Sequence, residues 1–154
     1  MAIFNASKCA QYINNHKNPL MVVGDISDNV KLNGKMLTEY AAEVALKLDC
    51  QVAATGNSVL EIKKHEGIKV KKMWLAELII GLKGKWADPV LNERPDLLIF
   101  IGYRPDVIDG MVAGLKRIHS VHLGPGKSRA TNQGVEAVNF SEWGSNLDEL
   151  VKAI

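Results

Sequence analysis

Cysteine is scarce in this chain of 154 residues: Cys9 and Cys50 stand far apart, with no CxxC pair and no Cys/His cluster. A structural zinc site or an iron–sulfur cluster held by this chain alone is therefore not expected. Two isolated thiols read as small buried hydrophobes and suit a reducing, cytoplasmic setting. Long apolar runs are missing as well, the longest being of strand length, so no membrane span is expected. The opening MAIFNASKCAQY lacks a basic start followed by a long apolar stretch, so no secretion signal is expected. Charge of one sign is also lacking: 19 Lys and Arg against 17 Asp and Glu leave a net charge of +2, too balanced to argue for nucleic acid.

The material present suits one domain over 1–154, because 47% hydrophobic and 23% charged residues can build a sizeable core. Apolar spacing at Ala6, Cys9, Ala10 and Ile13 predicts a first helix over about 5–16, with Asn5 as its cap. Leu20–Val23, stopped by Gly24, is apolar on both faces and reads as a central parallel strand. A polar loop is expected over 25–33, then a strongly amphipathic helix over about 34–48 with Thr38 on its polar side. Val52–Ala54 is a second strand. Ser58 with Glu61 resembles a capping box, and 68–72 alternates apolar and basic residues as an edge strand would.

A helix is expected over 73–83, and the strongest strand is Leu97–Ile101, ended by Gly102. Pro105 suits the first turn of the next helix, in which Gly110 and Gly114 would allow close backbone approach. Strands are expected at 118–123 and 135–140, with the last helix starting near Ser145. Strands alternating with helices point to a three-layer α/β/α fold. Its core would be a doubly wound, Rossmann-like parallel sheet of about six strands.

Ligands of such sheets sit beyond the carboxyl ends of the strands, where strand order reverses. Gly24 with Asp25, Gly56, Gly102 with Tyr103 and Arg104, and Gly124 therefore make up the candidate crevice. Glycine there either lets a backbone approach a phosphate or ring, or simply permits tight strand-to-helix turns. Arg104 could pair with a pyrophosphate and Tyr103 could stack on a ring; Arg104 also reads as a residue that merely precedes Pro105. The loop GPGKSRATNQG at 124–134 meets neither phosphate-binding fingerprint: Val121 stands where a P-loop needs glycine, and Arg129 where GxGxxG needs its third. Lys127 and Arg129 could still hold an anion.

No catalytic constellation is apparent. His119 and His122 point to opposite faces of a strand, and Asp106, three before Asp109, reads as a first-turn charge. Residues 61–85 hold seven Lys and three Glu, with Trp74 and Trp86 at either side of a helix. This is either a solvated basic face and core packing, or a partner-binding surface.

NPLMVVG, RPDLLIFIGY and HLGPGKSRATNQGVEAVNF, in this order and at this chain length, resemble the epsilon subunit of the archaeal acetyl-CoA decarbonylase/synthase complex. More loosely, they are similar to the middle domain of thiamine-diphosphate enzymes such as acetolactate synthase. The resemblance implies a non-catalytic subunit that binds and stabilises the nickel–iron–sulfur alpha subunit of carbon monoxide dehydrogenase in an alpha2-epsilon2 assembly. It also implies a role in electron transfer to FAD, and it offers no catalytic or metal-binding residues to carry over. The alternatives are a stand-alone flavin or nicotinamide nucleotide-binding protein and a small enzyme of unknown substrate.

Overall fold

The computed structural model describes residues 2–84, 94–126, 128–135, 137 and 139–154. Seven parallel strands make the main sheet: β1 (Ala2–Phe4), β2 (Pro19–Val23), β5 (Val52–Ala54), β6 (Val70–Lys72), β7 (Leu97–Ile101), β8 (His119–His122) and β9 (Gln133–Val135). Their order across the sheet is β1-β9-β8-β7-β2-β5-β6. Five match expected strands; β9 meets the strand expected at 135–140 only at Val135, and β1 is an additional edge strand too short for a hydrophobic period to reveal. Two further strands, β3 (Lys31–Leu32) and β4 (Lys35–Met36), form a small antiparallel hairpin.

Side chains of the central strands alternate between two cores, as strand geometry requires. Met21, Val23, Ile99 and Ile101 enter one core, and Leu20, Val22, Leu98 and Phe100 the other. The first core is covered by α1 (Ala6–Asn14), α2 (Leu37–Leu48), α3 (Ser58–Lys63) and α6 (Phe140–Ala153). The second lies beneath α4 (Leu75–Lys83) and α5 (Pro105–Val112). The change of face follows from the topology. The chain builds outward from β2 to β5 and β6, then returns to place β7 on the other side of β2. Strand order therefore reverses between β2 and β7.

Local chemistry sets several boundaries. The Asn5 side chain accepts from Lys8 N at 2.9 Å and starts α1. Asn33 and Gly34 both have positive φ, 52° and 78°, and turn the β3–β4 hairpin. That hairpin replaces the first turn expected of α2, and Thr38 is buried where a polar face was expected. Ser58 does not cap α3: it is buried inside the first turn, and its hydroxyl donates to Asp28 Oδ1 at 2.6 Å. β9 spans Gln133–Val135, and α6 begins at Phe140, earlier than expected, because the Asn139 side chain accepts from Glu142 N at 2.8 Å and caps the helix. Gly110 and Gly114 face open space, so neither serves close packing. β6 is the lysine-bearing edge strand. No helix among the described residues is long and apolar enough to cross a membrane.

Candidate functional site

The switch point is where β2 and β7 run side by side, Val23 opposite Ile101, and continue into Gly24 and Gly102. The two turns are stitched together by backbone: Gly24 N donates to Ile101 O at 2.8 Å, and Ile26 N donates to Gly102 O at 3.3 Å. A Cβ on Gly24 would overlap the Gly102 carbonyl and lie 2.9 Å from Tyr103 Cδ1. At Gly102, φ is +82°, and a Cβ would overlap the Ser27 hydroxyl and stand 2.7 Å from Gly24 O. Both glycines are thus required by the approach of this chain to itself. The short 3₁₀ turn Asp25–Asp28 drives Ser27, fully buried, into the gap. Within the described residues the Ser27 hydroxyl has no hydrogen-bond partner.

Tyr103 turns inward over the same point. Its ring meets Phe100 edge-on, with centroids 6.1 Å apart, and its hydroxyl donates to Val23 O at 3.4 Å. Burial pushes this phenol well above its ordinary pKa, so it stays protonated. His122 anchors the turn from β8: a carbonyl can only accept, so His122 Nε2–H donates to Tyr103 O at 3.2 Å. Burial holds the His122 imidazole below its usual pKa, against the opposing pull of that hydrogen bond and of Asp109. Arg104 points outward and forms a fork with Asp106, Nε to Oδ1 at 3.1 Å and Nη2 to Oδ2 at 2.8 Å. Both are solvent-exposed, so the pair is worth little energetically, but it occupies the guanidinium.

Gly102, Tyr103, Arg104 and Gly124 line one apolar cavity of about 180 Å³. Asp25 and Gly56 are exposed and do not line it. Ile26, Phe140 and Trp143, which sequence reading missed, also line it, alongside Val30, Pro105 and Pro125. The Asn139–Glu142 cap pattern could have placed the two aromatics by starting α6 earlier. Trp143 is buried, and its indole N–H has no hydrogen-bond partner among the described residues.

Residues 128–130 close over α5. Asp109, on α5, accepts from Ser128 Oγ at 2.5 Å, Arg129 N at 2.9 Å and Ala130 N at 3.0 Å, all on the single oxygen Oδ1. Burial works to raise its pKa, yet these donors together with the Arg129 charge hold the carboxyl below its ordinary value. Asp109 thus takes the place that an external anion would occupy in this loop. Asp106 and Asp109, three apart in sequence, face different partners and do not form an acid–base pair. Lys127 and Trp86 lie outside the described residues.

The chemistry available here is limited. Among the described residues no serine hydroxyl or cysteine thiol is hydrogen-bonded to a histidine. Cys9 and Cys50 are buried, and desolvation pushes each thiol up to about 12, which makes them inert. No three His, Cys, Asp or Glu side chains among the described residues converge as a metal cage. The crevice does not fit FAD or NAD as it stands. Its glycines are filled by Ser27 and Tyr103, its arginine is engaged, and its cavity falls short of the ~300–1,000 Å³ of small-molecule sites.

No protein-family model matches the chain, and no curated protein matches it. Among solved structures it is similar to one from Mycobacterium smegmatis assigned as a thiamin diphosphate-dependent enzyme, with a TM-score of 0.51 and 18% identity. The match covers 97% of this chain and 27% of the other, so the chain spans about a quarter of that enzyme's length. A likeness at this identity establishes the architecture, a Rossmann-like α/β domain, and nothing about chemistry.

Proposed function

We propose that this chain is a non-catalytic accessory subunit that docks on and stabilises a larger enzyme. The partner its sequence resemblance implies is the carbon monoxide dehydrogenase alpha subunit of an acetyl-CoA decarbonylase/synthase complex, in a two-to-two assembly. The observation that carries the reading is Trp74. It is 71% exposed at the carboxyl end of the edge strand β6, while its neighbour Met73 is buried. Glu77 accepts from Trp74 N at 3.3 Å and fixes this backbone at the head of α4. A large aromatic ring held in solvent beside exposed Lys72 has the character of an interface anchor. The lysines of 63–83 provide a basic surround that would steer an acidic partner. The filled crevice and inert thiols also support a role in binding rather than turnover.

The test is association with the purified alpha subunit under anaerobic conditions, followed by interferometry. Binding at micromolar or tighter affinity is expected. Trp74→Ala should weaken it about tenfold or more. Charge reversal at Lys71 and Lys72 should slow association at low salt. No binding at micromolar concentration would overturn the proposal. A lone chain recovered from native extract with a bound nucleotide would favour the stand-alone binder.

A further inference from the structure

At the opposite end of the sheet, the amino end, three side chains from two distant segments converge. Tyr12 lies on α1, His16 follows its last turn, and His119 opens β8. His16 Nδ1 is 2.8 Å from the Tyr12 carbonyl oxygen. A carbonyl only accepts, so Nδ1 carries the proton and Nε2 of the neutral ring presents a lone pair. That Nε2 lies 3.0 Å from His119 Nδ1, and the Tyr12 hydroxyl lies 2.9 Å from the same His119 nitrogen. One ring nitrogen therefore faces two polar atoms with a single proton or a single lone pair to offer. When it accepts from Tyr12, two imidazole lone pairs confront each other, an arrangement that a cation relieves.

We propose that His16 Nε2 and His119 Nδ1 form a binding site for a first-row divalent ion of the imidazole-preferring class, such as Zn2+ or Cu2+. Three features support this. Ligands at about 2.0–2.1 Å and 90–110° apart stand about 2.9–3.3 Å from each other, which matches the observed spacing after small rotations of the half-buried His16 ring and the exposed His119 ring. The His16 Nδ1–H bond to a backbone carbonyl is the outer contact that commonly fixes the tautomer of a metal-binding histidine. The site also lies just past the C-terminus of α1, where Asn15 N bonds to Gln11 O and His16 N to Ile13 O, and the helix dipole favours positive charge.

Tyr12 is a neighbour rather than a ligand. Its hydroxyl, 2.9 Å from His119 Nδ1, is placed to hydrogen-bond a metal-bound water. Water completes the coordination shell on the exposed side. Because the two histidines are 103 residues apart in sequence, the ion would clasp α1 to β8, and its binding would register as added stability.

The experiment is a Zn2+ titration of the full chain by calorimetry, with thermal unfolding at increasing Zn2+. One ion per chain, saturating in the micromolar range, and a Tm that rises with Zn2+ are expected. His16→Ala and His119→Ala should each weaken binding about tenfold or more and abolish the rise in Tm, while Tyr12→Phe should change affinity less than about threefold. His119 is exposed, so His119→Asn should keep the fold, as circular dichroism would verify, and should lose the ion equally. Absence of saturable binding below about 1 mM Zn2+ would overturn the proposal, as would unchanged binding by the His16/His119 double variant.

Discussion

The two ends of the parallel sheet handle their polar groups in opposite ways. At the carboxyl end, where folds of this type place ligands, most groups are answered from within. Asp109 fills the loop, His122 holds Tyr103, Ser58 holds Asp28, and Gly24 and Gly102 are pressed against their own chain. At the amino end, Tyr12, His16 and His119 share one contested nitrogen near the surface. The difference teaches that a sheet's switch point is a place where a ligand can be received, not a sign that one is. The chain's own residues can fill the same geometry.

The comparison breaks most severely at the glycines. Gly102→Ala, at φ +82° with Ser27 and Gly24 in its path, should cost about 3 kcal/mol or more in urea unfolding. A near-neutral result would mean that the carboxyl end is looser than its contacts imply. Asp109→Ala should come next, at about 2 kcal/mol, because three donors lose their acceptor. Faster amide exchange at Arg129 and Ala130 would locate the damage in the loop.

Acidification sharpens the contrast further. The folded pKa of His122 lies below the unfolded value of about 6.5, so below that pH the unfolded chain binds the proton more readily. Stability is full above that value and falls as the pH drops toward the folded pKa. His122→Asn should remove this step from a plot of stability against pH. The lowered Asp109 carboxyl adds a second loss below about pH 3.9 by the same linkage. The smallest effect on folding should come from Trp74→Ala, within about 0.5 kcal/mol, because the ring is solvent-exposed. A larger loss would make Trp74 a structural residue and weaken its role as an anchor.

The central strands were legible in the sequence because burial on both faces leaves continuous apolar runs such as Leu97–Ile101. The neighbouring of Gly24 and Gly102 was legible only conditionally, since strand order is a property of crossovers and not of any run of residues. Two local signals mark boundaries that apolar spacing does not: Asn33-Gly34 for the hairpin, and Asn139 with Glu142 for the start of α6. Other features carry no sequence signal at all. Nothing in the spacing of His16 and His119 announces that they touch, because their contact depends on how α1 packs beside β8. The inward turn of Tyr103 likewise follows from the cleft left by two glycines, and the exposure of Trp74 from the turn that sends Met73 inward instead.

Asp109 has a consequence for how this chain responds to its medium. A loop whose amides converge on an outside phosphate loosens when phosphate is scarce and tightens when it is plentiful. Here the counter-anion is covalently part of α5 and present at a fixed ratio of one to one, so the shape of the 128–130 stretch is set by the polypeptide and not by the buffer.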